Sequence, residues 1–169
     1  MVLQLCLIQI IQKRNQLLII KIFFFQRIDL LMNKIFNYKV KVYYEDTDAG
    51  GVVYYANYLK YLERARTEAL AKIGLSNLKI KSDHKALIIV KSCNINYKKS
   101  TFLEDELNIK SHIISITKTS FVMSQTIIKN KIVIVESKIH LVFVSEKIKP
   151  IKIPKLILDK FKPYTFNAK

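Results

Sequence analysis

Tyr43-Tyr44-Glu45-Asp46-Thr47-Asp48-Ala49-Gly50-Gly51-Val52-Val53-Tyr54-Tyr55-Ala56-Asn57-Tyr58 holds two of the three glycines in a chain of 169 residues. Glycine is placed where the backbone needs φ > 0 or where a Cβ would block a close approach. In so glycine-poor a chain, a pair directly after Asp48 marks a tight turn. Val40-Lys41-Val42-Tyr43 on its left alternates as a strand does, and an amphipathic helix opens on its right. Asp48 is therefore expected on a strand-to-helix turn, beside backbone N–H groups that a helix start leaves free. A carboxylate next to such an anion-accepting terminus is a workable catalytic arrangement.

Working outward, residues 36–45 read as a first strand, rich in Tyr and Val with period-2 alternation. From Asn57 the period becomes helical: Leu59, Leu62, Ala65, Ala69 and Ile73 make one apolar stripe, with Arg66 flanking it. Lys60, Glu63, Arg64, Thr67 and Glu68 fall largely on the other side. Asn57 suits the N-cap, and Gly74, the third glycine, suits the C′ position that ends a helix. Residues 77–85 read as a polar connection. Residues 86–98 alternate again, with Leu87, Ile89, Cys93, Ile95 and Tyr97 on one face. Glu104-Asp105-Glu106 opens a strand over 107–117, and 120–129 is another. Asn130-Lys131 turns into a last strand carrying Val133, Val135, Ile139, Leu141 and Phe143 on one face. Pro150, Pro154 and Pro163 bracket a short terminal helix, with Pro154 at its first position. This β-α-β-β-β-β order predicts an α+β fold: a five-stranded antiparallel sheet whose one apolar face is covered by the single long helix.

Composition narrows the function classes. Half of the residues are hydrophobic, which excludes a disordered chain, and the length fits one domain with a proper core. The formal charge of +16 invites a nucleic-acid reading. Lysines are spread along the chain, however, and no nucleic-acid motif accompanies them, so no nucleic-acid partner is expected. The joint abundance of Ile, Lys and Asn points instead to residue usage in an AT-rich genome. A basic surface also favours the phosphates of coenzyme A, an acidic carrier protein or an anionic membrane face. Cys6 and Cys93 are too isolated for a disulfide framework. His84, His112 and His140 have no Cys or carboxylate at ligand spacing, so neither metal nor cofactor is expected.

Residues 1–31 differ in character from the rest. They are apolar but interrupted by Lys13, Arg14, Lys21, Arg27 and Asp29, so no run reaches the roughly 18 residues of a membrane span. A secretory leader is not recognisable either. The segment reads as an N-terminal extension, either amphipathic on a membrane surface or upstream of a true start at Met32. The domain proper is expected over 32–169.

The motif also resembles a known family. Val42 to Tyr54, followed by Ala56-Asn57-Tyr58-Leu59 and Glu63-Arg64-Ala65-Arg66-Thr67-Glu68, is similar to the signature of YbgC-type acyl-CoA thioesterases. These belong to the 4-hydroxybenzoyl-CoA thioesterase group of hotdog-fold enzymes, whose sheet wraps around the helix. The resemblance runs from about Lys39 to the C-terminal tail. It implies a cytoplasmic enzyme hydrolysing short- to medium-chain or aromatic acyl-CoA, working as a homodimer or homotetramer with sites at the subunit boundary. It also implies a link to the Tol-Pal cell-envelope system and phospholipid metabolism, with contact at the inner face of the inner membrane.

Residue by residue, the resemblance places the essential carboxylate at Asp48, as general base on a water or as direct nucleophile. It assigns the backbone N–H of Tyr55 to the substrate carbonyl, and Gly50, Gly51, Val52, Tyr54 and Asn57 to substrate binding. Tyr55 departs from the family, where many members carry His; imidazole titrates near neutrality and a phenol does not. Its ring is equally readable as an aromatic packed under the helix start. Asp46 and Glu45 read as turn-bonding residues, Tyr44 as a pocket or core aromatic. Glu63, Arg64 and Glu68 read as a charged helix face, and the histidines as incidental. A hydratase would need a His in the active loop, and none lies before residue 78. The alternative class is a non-catalytic hotdog module binding acyl-carrier protein or envelope partners.

Overall fold

A computed structural model describes residues 34–166; the extension read at 1–31 lies outside the described residues. In chain order come β1 (Phe36–Lys41), α1 (Asn57–Lys72), α2 (Asn77–His84), β2 (Ala86–Tyr97), β3 (Glu106–Ile116), β4 (Ser120–Lys129), β5 (Ile132–Ser145) and α3 (Lys155–Phe161). The strands form one antiparallel sheet in the order β1-β3-β4-β5-β2, and α1 packs on its inner face over β1 and β3. This is the hotdog arrangement. No helix among the described residues is long and apolar enough to cross a membrane.

α1 is 16 residues long, yet its buried stripe is turned relative to the expected one. Tyr58, Tyr61, Leu62, Ala65 and Ala69 are buried, while Leu59 is 40% exposed. The spacing is still i, i+3, i+4, i+7; two tyrosine rings replace Leu59 because their larger apolar bodies reach the core. Burying Leu62 fully contributes about 1.5–3 kcal/mol, and its partners include Ile109, Ile113, Ile139 and Phe143 in one continuous core. The helix ends as expected. Gly74 takes φ +70°, its N–H donates to Ala71 O, and the Leu75 N–H donates to Leu70 O, which is the Schellman pattern.

Residues 77–85 are not a plain connection. They form α2, started by Ser76, whose side chain accepts from the Lys79 N–H at 3.1 Å. Only Ile80 is buried in it, so the helix carries no amphipathic period that a sequence reading could detect. Two bulges correct the strand faces. Between Val90 and Ser92 the ladder of β2 on β5 slips by one residue. Ile88 and Ile95 therefore both pack on the core, so the expected Leu87 and Ile89 lie on the opposite face. A second slip, opposite Ile127 and Ile128, pairs Val135 and Val133 with them and likewise breaks the period at Ile134. A one-residue bulge reverses every later side chain. Asn130 and Lys131 both take positive φ, as a two-residue hairpin turn requires.

Candidate active site

After β1 the chain makes one 3-10 turn at Tyr44–Asp46 and then closes a tight loop. The Gly51 N–H donates to Asp48 O at 2.9 Å, the Asp48 N–H donates to Val52 O at 3.0 Å, and Thr47 bridges Val53 antiparallel. The two glycines have different reasons. Gly51 sits at φ +74° with open space where a Cβ would be, so it serves the backbone conformation alone. Gly50 donates its N–H to Asp48 Oδ1 at 2.8 Å, and a Cβ there would stand 3.1 Å from that same oxygen. Gly51→Ala is thus expected to cost about 1–2 kcal/mol, read as a lowered denaturation midpoint. Gly50→Ala is expected to change stability little but to displace the carboxylate and lower turnover, a split that parallel stability and rate measurements would reveal.

Buried groups hold the loop from behind. Asp46, 4% exposed, accepts the Tyr43 N–H on Oδ2 at 2.9 Å. Its carbonyl accepts both the Tyr54 N–H and Asn57 Nδ2 at 2.9 Å. The expected cap role of Asn57 is therefore corrected: Ala56 occupies the N-cap without a side-chain bond, and Asn57 is spent on tying the helix to the turn. The Tyr61 hydroxyl faces Asp46, with no hydrogen-bond partner among the described residues. Burial first, and then the Asp46 carboxylate, raise its phenol above the ordinary tyrosine range.

A support that sequence reading missed comes from the β2–β3 connection. The Val53 N–H donates to Thr101 O at 2.9 Å, Val52 bridges Phe102, and the Tyr58 hydroxyl meets Thr101 Oγ1 at 2.9 Å. Asp105 steadies that connection through the Phe102 N–H at 2.9 Å and Lys129 Nζ at 2.7 Å. The acidic run 104–106 was visible in sequence, but its pairing with a lysine 24 residues away was not.

At the helix start the N–H groups of Tyr54 and Asn57 are used within the loop, to Asp46 O and Tyr54 O. Those of Tyr55 and Ala56 have no acceptor among the described residues. The Tyr55 ring lies 4.6 Å from that of Tyr54 and 6.4 Å, edge-on, from that of Tyr97. Its carbonyl accepts the Tyr97 hydroxyl at 3.3 Å. The Tyr54 phenol is raised from its ordinary value, chiefly by hydrogen bonding to Tyr55 and by the charge there, with smaller effects of burial and of Asp48. Asp48, Gly50, Gly51, Tyr54 and Tyr55 are all exposed, so in one chain this site stands open to solvent. His140 shares a bond with Ser120 Oγ and His112 packs on Phe166; neither reaches the loop.

Farther along α1, an apolar cavity of about 160 Å³ lies between the helix and the inner sheet face, bounded by Leu70, Ile73, Ile88, Met123 and Leu141. Arg66 lines it and donates to Gln125 Oε1 at 2.9 Å. Burial pushes the Arg66 guanidinium down from its ordinary value, with Glu63 opposing. A dry cavity of about 150 Å³ is large enough for a benzene ring.

Comparison with known proteins agrees with the fold. Residues 42–161 match the family described as the thioesterase-like superfamily. The chain is 38% identical over 130 residues to the acyl-CoA thioester hydrolase YbgC of Escherichia coli O6:H1, covering 76% of this chain and 96% of that protein. It is 32% identical to the acyl-CoA thioesterase YbgC of Haemophilus influenzae, covering 75% and 93% respectively. The crystal structure of a probable thioesterase from Bartonella henselae superposes with a TM-score of 0.69 at 30% identity, covering 72% of this chain and all of that one.

Proposed function

This chain belongs to the thioesterase-like superfamily and is a thioester hydrolase, and from that premise we propose that it cleaves acyl-CoA at the Asp48 turn. One observation carries the reading: the exposed Asp48 carboxylate and the Tyr55 N–H, which has no acceptor among the described residues, lie on the one loop that leads into the N-terminus of α1. A thioester carbonyl laid on the Tyr55 N–H is polarised by that donor and by the positive end of the helix. Addition at the carbonyl carbon puts negative charge on its oxygen, where the same N–H stabilises it; one such donor is worth about 3–4 kcal/mol elsewhere.

Asp48 acts in one of two ways. As a base it takes a proton from water as the water oxygen bonds to carbon; the C–S bond then breaks and the thiolate leaves with its electron pair. As a nucleophile it displaces the thiolate itself, and water then opens the mixed anhydride. Label found in the Asp48 carboxylate after single-turnover hydrolysis in ¹⁸O-water identifies the anhydride route, because only that route can leave label there. Gly50 and Gly51 shape the turn against which the thioester lies, with Val52 and Tyr54 beside it, and Asn57 acts from behind through Asp46.

The openness of the site in one chain supports a dimer or tetramer in which a second copy excludes water from it. The roughly ring-sized cavity supports short, medium or aromatic acyl groups. Likeness to YbgC supports a cytoplasmic role beside the Tol-Pal system, with acyl-carrier protein as a further partner. The test is thiol release from a panel of acyl-CoAs running from acetyl through palmitoyl to benzoyl. Turnover concentrated on one acyl class names the substrate; no turnover on any would overturn the acyl-CoA reading.

A further inference from the structure

At the far end of α1 from Asp48, two exposed aliphatic side chains stand among lysines. α1 spans about 24 Å at 1.5 Å per residue, so this end is remote from the chemistry. Leu78, in the first turn of α2, is 80% exposed. Lys79, Lys81 and Lys85 accompany it, and together with Glu146 they border one shallow depression. Glu146 belongs to the turn after β5, which begins where Ala86 pairs with Ser145. In that turn the Ile148 N–H donates to Ser145 O, and the Ser145 N–H to Lys149 O, both at 2.9 Å. Ile148 is held at φ +58° and is 58% exposed, between Lys147 and Lys149.

A β-branched residue in the left-handed region is disfavoured, and glycine or asparagine would occupy the position more easily. Here the backbone preference and the hydrophobic preference are violated at the same residue. Five lysines face two acids, Glu146 and Asp83, the latter bonded to Ser82 Oγ. A second copy of so basic a surface would repel it. An aliphatic tip on a turn, another on a helix, and lysines next to each match an interface that is anionic outside and hydrocarbon beneath.

We propose that this end of the chain, α2 with the 145–149 turn, docks on an anionic lipid surface, Leu78 and Ile148 entering below the headgroups and the five lysines meeting the phosphates. The docking is independent of the acyl-CoA assignment. Flotation of the full chain with phosphatidylcholine vesicles, with and without phosphatidylglycerol, tests it. Association is expected only with the anionic vesicles, and it weakens as salt is raised. Leu78→Ser with Ile148→Gly is expected to lower partitioning about tenfold, and Lys79→Glu with Lys147→Glu to remove it, all with unchanged thioesterase activity. Glycine accepts the Ile148 backbone conformation, so that variant keeps its denaturation midpoint and a folding defect cannot account for lost binding. Equal partitioning onto neutral vesicles, or binding insensitive to the Leu78 and Ile148 changes, overturns the proposal. So does retention on an acidic carrier protein without vesicle binding, which would mark the patch as a protein-docking face.

Discussion

Asp48→Asn is expected to lower turnover about 10²–10⁴-fold, the range for removing a positioned acid–base group, while the denaturation midpoint stays where it is. The amide keeps a carbonyl oxygen in place of Oδ1, so the 2.8 Å bond from the Gly50 N–H can persist. The side chain is exposed and makes no ion pair among the described residues, so little folding energy is at stake. What disappears is the negative charge and the basicity. Binding of a non-hydrolysable acyl-CoA analogue should be retained, because the Tyr55 N–H is a backbone group that the change does not touch. A variant with wild-type kcat would remove Asp48 from the chemistry and return its carboxylate to the ordinary role of an Asp in a turn, bonding nearby backbone.

The largest effect on stability is expected at Gln125. It is fully buried, in a row of inward-facing polar residues, Ser111, Gln125 and Ser137, that neighbour one another across β3, β4 and β5. Its Oε1 accepts from Arg66, and its Nε2 donates to Leu62 O at 3.1 Å and to Ser111 Oγ at 2.9 Å. Gln125→Ala leaves a largely buried cation, a helix carbonyl and a buried hydroxyl without this partner. The Leu62 carbonyl keeps its bond within the helix, but the orphaned cation and hydroxyl cost about 1–3 kcal/mol each, with partial relaxation between them. A net loss of about 3 kcal/mol should appear as a lower denaturant midpoint at constant m-value. Replacing both ends, Gln125→Leu with Arg66→Leu, should recover much of the loss, because an apolar pair of similar shape leaves no uncompensated charge. If the double variant is as unstable as the sum of the single ones, the bond between the two side chains carries no coupling and the account fails.

These two residues mark how far the sequence could be read. Asp48 was legible because the turn is local: three glycines in the whole chain, two of them after one aspartate, and a change of hydrophobic period on either side. The helix end at Gly74, the hairpin at Asn130-Lys131 and the bounds of β4 were legible for the same reason, since each is set by residues within one turn of chain. Gln125 was not. It follows the inward phase of a strand, and only the ladder and the descent of Arg66 from α1 show why a polar group can be buried there.

The remaining differences share that cause. α2 is held by Ile80 alone, too little to print a period on the sequence. The bulges at Lys91 and Ile134 shift strand faces by pairing with neighbours, which is a property of two strands and not of one. Asn57 has the chemistry of a cap but is drawn inward by the Asp46 carbonyl, an acceptor that only the folded turn presents. By itself, the sequence determined the order of the five strands and the long helix, the hotdog class and the loop that carries Asp48, because periodicity and glycine placement are local constraints. Tertiary structure alone decided which N–H groups at the helix start are left free, which side chains brace the loop, and that Leu78 on α2 and Glu146 of the turn after β5 border one depression. Those depend on segments far apart in the chain meeting at hydrogen-bonding distance, and no local pattern encodes that meeting.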